Sequence, residues 1–212
     1  MSRPATRKIV RPAQPRRERT KSAPPRRSDE IMDAAAHVFA IKGFHGATTQ
    51  DIADVLGIKQ ASLYYYVPSK EIALETVCII GAEGFYERAM RIVEGAGTAA
   101  EKLEALVRSH IEPLNDRADY VRVFLNQRQF LPSTSRRKVG RWSRGLERLY
   151  EQVISAGVRD GSFRKGIDPR LATLSLLGSL NAVPAWNVKE DRSIDDIARG
   201  LSQLALGGLI RR

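Results

Sequence analysis

Cysteine, histidine and alternating apolar runs are what this sequence has least of. Cys78 is the sole cysteine in 212 residues, which excludes an internal disulfide and any CxxC pair. His37, His45 and His110 are the only histidines, and none has a second metal-type ligand at helical spacing, so no metal and no cofactor are expected. The first residues contain no apolar segment of the kind a secretory signal needs. A reducing, cytoplasmic setting follows, with no membrane partner. Catalytic motifs are missing too. Ser143 lies in Arg-x-Ser-x-Gly rather than Gly-x-Ser-x-Gly, and Gly95-x-Gly97-x-x-Ala100 follows no strand, so the chain is not expected to be an enzyme. With no sustained alternation of apolar and polar residues, the economical fold is all-α.

Positive charge, by contrast, is abundant and uneven. Residues 1–27 hold ten Lys or Arg, one acid (Glu18) and five prolines, which is +9 of the chain's net +11. Such a segment has almost nothing to bury and is expected to be a disordered basic arm. It is either a solubilising extension or, beside a nucleic-acid partner, an arm that adds phosphate contacts or enters a minor groove.

The remainder reads as successive helices. A first helix is expected from Ser28 to Lys42, capped by Ser28, with Ile31, Ala35, Val38 and Phe39 on one face and Gly43 at its end. Ser69 to Glu94 is long and apolar at Ile72, Leu74, Val77, Ile80 and Phe85. Thr98 to Glu101 is a capping box, and Leu103, Leu106, Val107, His110 and Leu114 follow at helical spacing up to a break near Pro113. Further helices are expected over Tyr120–Leu131 and Ser133–Ala156, the latter cationic at Arg136, Arg137, Lys138, Arg141, Arg144 and Arg148. Asp168-Pro169 and Ser193 with Asp196 start the last two long helices. These carry apolar residues with few covers and small ones at Gly178 and Ala205, which suits a two-fold interface between copies.

One stretch, from Thr48 to Leu74, implies a mechanism. Thr48 with Asp51 starts a short helix whose buried face is Ile52, Ala53, Val55 and Leu56, and Gly57 stops it. Lys59 to Val67 gives a second short helix closed by Pro68, with Leu63 as its anchor. Two short helices about a glycine turn form a helix-turn-helix whose second member fits the DNA major groove. Tyr64, Tyr65 and Tyr66 spread around most of that second helix, so at least one ring must be wet.

The run from Ser28 to Leu74 resembles the DNA-binding domain of the TetR/AcrR family of bacterial repressors. The residues that carry the likeness are Phe44, Gly46, Thr48, Asp51, Ile52, Ala53, Gly57 and Ile58, then Ser62, Leu63, Tyr64, Tyr66, Val67, Ser69, Lys70 and Glu71. Lys59 stands where a capping serine is common and Val67 where phenylalanine is common. The resemblance implies a DNA-binding domain over residues 28–74 and a helical ligand-binding and dimerisation domain over residues 75–212. It implies base-edge contacts from Gln50, Gln60, Ala61 and Tyr64, and phosphate contacts from Thr48, Thr49, Ser62, Tyr65, Tyr66 and Lys70. It further implies a homodimer on a palindromic operator in the nucleoid, released by a small hydrophobic effector. Phe85, Phe124, Gln127, Trp142 and Trp186 are the expected lining of the effector pocket.

The stretch Leu176–Trp186, with the ending Leu204–Leu209, is similar to members that answer to acyl-CoA thioesters, whose phosphates Arg144 or Arg148 would meet. The alternatives are a sensor of aromatic or cationic drugs, which would favour buried acids, and a nonspecific architectural DNA binder driven by the basic arm.

Overall fold

A computed structural model describes residues 27–210; the basic arm lies outside these apart from Arg27, which is already helical. The described residues form nine α-helices and three short 3-10 turns, with no strand pairing beyond one isolated bridge between Phe163 and Ile210. The all-α expectation holds.

Helix α1 spans Arg27–Gly46. Ser28 lies inside it, so that residue is not its cap, and an Arg27–Glu30 ion pair of 2.8 Å supports the first turn instead. Gly43 interrupts the helix at φ 67°, a left-handed angle that a Cβ disfavours, and one further turn follows to Gly46. Helix α2 is Thr49–Leu56. Its capping box forms as expected: Thr48 Oγ1 accepts from Asp51 N (3.1 Å), and Asp51 accepts from Thr48 N (2.9 Å). Gly57 then takes φ 64°, which lets Ile58 N reach Ala53 O at 3.0 Å and close the turn. Ile52 and Ala53 are buried, whereas Val55, expected on the same face, is exposed.

Helix α3 is shorter than the sequence implies, Gln60–Tyr64 only, with a turn through Tyr66. Helix α4, Lys70–Glu94, starts from the expected Ser69 cap. It buries Leu74, Val77, Cys78, Ala82, Phe85 and Ala89 on one stripe, while Ile72 stays exposed. Burial pushes the Cys78 thiol up to about 12, so that group is inert packing. This helix belongs to both parts of the molecule, since it packs on α1 below and on α5 (Ala99–Ile111), α6 (Ala118–Gln127) and α7 (Ser133–Asp160) above.

In the upper part, Leu103, Leu106, Val107 and Ile111 of α5 are fully buried, each removal from water being worth about 1.5–3 kcal/mol. The Thr98–Glu101 capping box starts that helix, and Pro113 ends it in a 3-10 turn over Glu112–Leu114. Helix α6 stops at Gln127 and tightens into a 3-10 turn, Arg128–Phe130, before reaching Leu131. Helix α7 continues past the expected Ala156 to Asp160. Helices α8 (Pro169–Trp186) and α9 (Ile194–Leu209) begin at the expected caps, Asp168 and Ser193, and Pro184 is carried inside α8. No helix among the described residues is long and apolar enough to cross a membrane.

Candidate nucleic-acid interface and ligand cavity

Helix α3 is held by very little. Leu63 is its one buried residue, Val67 anchors the turn behind it, and Lys59 gives no side-chain cap. All three tyrosines face water: Tyr64 is 46 %, Tyr65 85 % and Tyr66 45 % exposed. Tyr65 and Tyr66 set their rings edge to face, 5.1 Å apart. Ala61 and Ser62 are exposed beside them.

The two helices of the motif are tied by a hydroxyl and amide cluster. Gln60 Nε2 donates to Thr49 Oγ1 at 2.7 Å, and Thr49 Oγ1 lies 3.1 Å from the Tyr64 hydroxyl. Thr49, Gln60 and Tyr64, assigned separately from the sequence, therefore form one hydrogen-bonded group. Gln50 bonds Asp54 at 2.6 Å on the next turn. The Thr48 hydroxyl is engaged in the capping box, so its contact with a phosphate would add to that bond. Lys42 bonds Asp51 at 2.7 Å and, with the Thr48 donors, holds this carboxyl down at about 2. Lys70 has a structural role that sequence reasoning missed. Its ammonium donates to the Ala47 carbonyl at 2.9 Å and sits 4.5 Å from the centre of the Phe44 ring.

Phe44 is also where the lower part meets the upper. Its backbone N–H donates to Gln127 Oε1 at 3.0 Å, and its ring stacks on Phe130 at 6.2 Å. Gln127, expected in the pocket lining, has its amide oxygen engaged at this junction. Trp142 packs on Tyr86 with ring centres 5.1 Å apart, and Trp186 ends α8 half-buried against the core. Both are large rings that complete packing between helices.

Phe85 and Phe124 do line a cavity of about 240 Å³ between α4, α5, α6, α7 and α8. Ala82, Leu146, Leu174 and Leu177 complete its apolar wall. Its polar lining is His110, Asn181, Ser143, Arg128 and Glu147. His110 is buried against Phe85, with ring centres 4.8 Å apart. Its Nε2 is 3.1 Å from Asn181 Oδ1, and its Nδ1 is 3.4 Å from a Tyr150 hydroxyl that donates to the Leu106 carbonyl at 2.9 Å. Burial pulls the His110 imidazole down to about 4, so it is neutral near pH 7. The pairing of His110 with Asn181 was not foreseen, since the two lie on different helices far apart in the chain.

At Arg128, Ser143 and Glu147 the cavity joins a surface groove that adds Arg136 and Arg144. Arg148, the alternative cation, is not among the residues of either. Glu147, the one acid in the cavity lining, is engaged by Arg170 at 2.8 Å. On the far flank of α8 a second, apolar groove of about 260 Å³ runs between α8 and α9, formed by Ala172, Leu176, Leu201, Leu204, Ala205 and Leu209. Leu204 is 74 % exposed there.

Comparison with known proteins agrees with this architecture. Residues 31–74 match the family described as bacterial regulatory proteins, tetR family, and residues 96–209 match the tetracyclin repressor-like C-terminal domain. The chain is 29 % identical to the HTH-type transcriptional repressor KstR2 of Rhodococcus jostii over 86 % of its own length and 91 % of the relative's. With KstR2 of Mycolicibacterium smegmatis the identity is 31 %, over 70 % and 73 %. The solved structure of the fatty acid degradation regulator FadR from Bacillus halodurans superposes with a TM-score of 0.73 at 26 % identity, covering 92 % of this chain and all of that one. Two matched domains in this order, a helix-turn-helix with its aromatic face open and a helical body enclosing a cavity, lead to one assignment: the chain belongs to the TetR family of bacterial transcriptional regulators.

Proposed function

We propose that this protein is a homodimeric, cytoplasmic repressor that binds a palindromic operator and leaves it when an acyl-CoA thioester enters the cavity. Residues 28–74 form the reading domain, and residues 75–212 hold the effector and the second copy. Gln50, Gln60, Ala61 and Tyr64 touch base edges, while Thr48, Thr49, Ser62, Tyr65, Tyr66 and Lys70 touch or position the backbone. The exposed apolar seam of α8 and α9 pairs the copies, which places two reading helices on successive major-groove faces. The repressor sense follows the relatives named KstR2.

The observation that carries the effector reading is the junction of two unlike spaces. An apolar cavity opens at Ser143 into a groove lined by Arg128, Arg136 and Arg144. At about 240 Å³ the cavity suits the acyl part of a larger ligand. Three guanidinium groups suit the phosphates of the nucleotide part. A cationic drug is disfavoured because Glu147 already has Arg170 as its partner.

The test is release of operator DNA from the purified dimer, followed by gel shift, with free CoA, hexanoyl-CoA and hexanoate as additions. Release by the thioester alone is the expected outcome. Equal release by hexanoate would remove the arginine groove from the account, and release by none of them would end the acyl-CoA reading.

A further inference from the structure

A separate cavity of about 410 Å³ lies between α4, the Glu112–Leu114 turn and the start of α6, and it shares only Phe85 with the lining of the effector cavity. Ile80, Pro113 and Val121 give it an apolar wall, and Arg88 and Arg117 line it from two different elements. Both guanidinium groups lie over aromatic rings: Arg88 is 5.2 Å from the centre of Phe85, and Arg117 is 5.5 Å from that of Tyr120. A guanidinium resting on a ring keeps its N–H edge for another partner. Arg88 finds none in the protein: it is half-buried, its Nε is buried without a hydrogen bond, and no carboxylate among the described residues forms an ion pair with it. Burial pulls this guanidinium below its usual value, Glu112 opposes the change, and Arg91 and Arg117 add to it. An arginine still keeps its proton at neutral pH, so a partly desolvated positive charge stands beside the cavity with no carboxylate in contact. Gly84 supplies the room. A Cβ there would come within 3.2 Å of Arg88 Nη1, so the guanidinium lies over bare helix backbone. Glycine inside a helix is unfavourable relative to alanine, and here its smallness leaves the cavity floor open.

From these features we infer that the cavity is a second ligand site, taking a small organic anion: a monocarboxylate with a compact apolar body. The carboxylate accepts from Arg88 first and Arg117 second, and the body lies against Ile80, Pro113 and Val121. Glu83 and Glu87 belong to the same lining. They disfavour a second negative charge, which sets a monocarboxylate apart from phosphate or a dicarboxylate. An anion held there ties α4 to α6, whose Tyr120 hydroxyl donates to Asp33 of α1 at 2.9 Å. The site therefore borders the contact between the body and the reading domain. It stands independently of what fills the effector cavity.

The test is isothermal titration of the full-length protein with benzoate, benzamide, terephthalate and inorganic phosphate at neutral pH. Benzoate is expected to bind at least about tenfold more tightly than its uncharged analogue benzamide. Arg88→Met keeps an apolar stem over Phe85 and removes the charge, and it should weaken benzoate binding about tenfold or more. Arg117 is exposed, so Arg117→Gln folds even if Arg88→Met does not, and it should weaken benzoate about threefold. The second carboxylate of terephthalate should make it bind about threefold more weakly than benzoate, and Glu83→Gln combined with Glu87→Gln should close that gap. Equal binding of benzoate and benzamide overturns the inference, because the arginines are then idle. Benzoate binding that survives both Arg88→Met and Arg117→Gln places the acid in another cavity and overturns it as well. So does tighter binding of phosphate than of benzoate, or no binding by any of the four.

Discussion

Two small hydrogen-bonded clusters in this protein use the same side-chain chemistry to opposite ends. On the reading head, Thr49, Gln60 and Tyr64 bond one another in the open, with the Tyr64 ring half exposed. In the body, Tyr150 and His110 are buried and bonded along a path that begins at a main-chain carbonyl and ends at the exposed Asn181. Water competes for the Tyr64 bonds of the first cluster, so they contribute little to stability and, on the proposed contacts, can exchange partners when a duplex arrives. At Tyr150 and His110 no such exchange is available, and a bond lost there leaves a buried group unpaired. The wet cluster is built to be re-used and the dry one to stay as it is.

The contrast can be broken most directly at Tyr64. Tyr64→Ala should lower operator affinity at least about a hundredfold, because each half-site loses about 1–3 kcal/mol of contact, while thermal stability and dimerisation stay unchanged. A gel-shift titration with unaltered affinity would show that the exposed ring is idle.

The dry cluster makes the opposite expectation. His110 has its folded value depressed to about 4 from 6.5, so the stability it confers is complete above pH 6.5 and is lost as pH falls towards 4. Between pH 7 and pH 5 about 2 kcal/mol should go, measured by urea unfolding, and His110→Phe should flatten that part of the profile. A parent profile as flat as the variant's would mean that the imidazole takes up its proton without disturbing the relay.

The smallest effect is expected where the two regions meet. Gln127→Ala removes the acceptor of the Phe44 N–H and should leave operator and effector binding near their parent values. It should weaken the effect of one on the other by roughly fivefold, within the 1–3 kcal/mol usual for such coupling. The comparison of operator affinity with and without saturating effector measures this, and unchanged coupling would assign the communication to α4 alone.

How much of this was legible in the sequence depended on how far apart the partners lie. Thr48 with Asp51, Thr98 with Glu101, and Asp168 with Pro169 act within one turn, so their roles could be read from spacing alone. The same holds for Gly57, whose left-handed angle is a local demand. Gln127 shows the opposite case. On α6 it is one turn from Phe124 and looks equally able to face a ligand, but the 3-10 turn that follows swings it towards Phe44, far away in the chain. For Trp142 likewise, the neighbour in space, Tyr86, lies far off in the chain on α4. Lys70 drew notice for its charge, yet the carbonyl of Ala47 and the face of Phe44 are what hold it. Local grammar gave the elements, and the rotation of each about its axis came only from packing.

Helix α8 does two jobs on one rod. Leu174, Leu177, Gly178 and Asn181 face the cavity, and Ala172, Ser175, Leu176 and Ser179 face the groove beside α9. A gene copy drifting towards a new inducer must do so through the first set, and each change of bulk there rolls or shifts the second. On the proposed pairing through α8 and α9, divergence in what such a sensor detects is tied to divergence in which sibling it can pair with, so duplicated regulators would separate into non-mixing pairs as a by-product of acquiring new tastes.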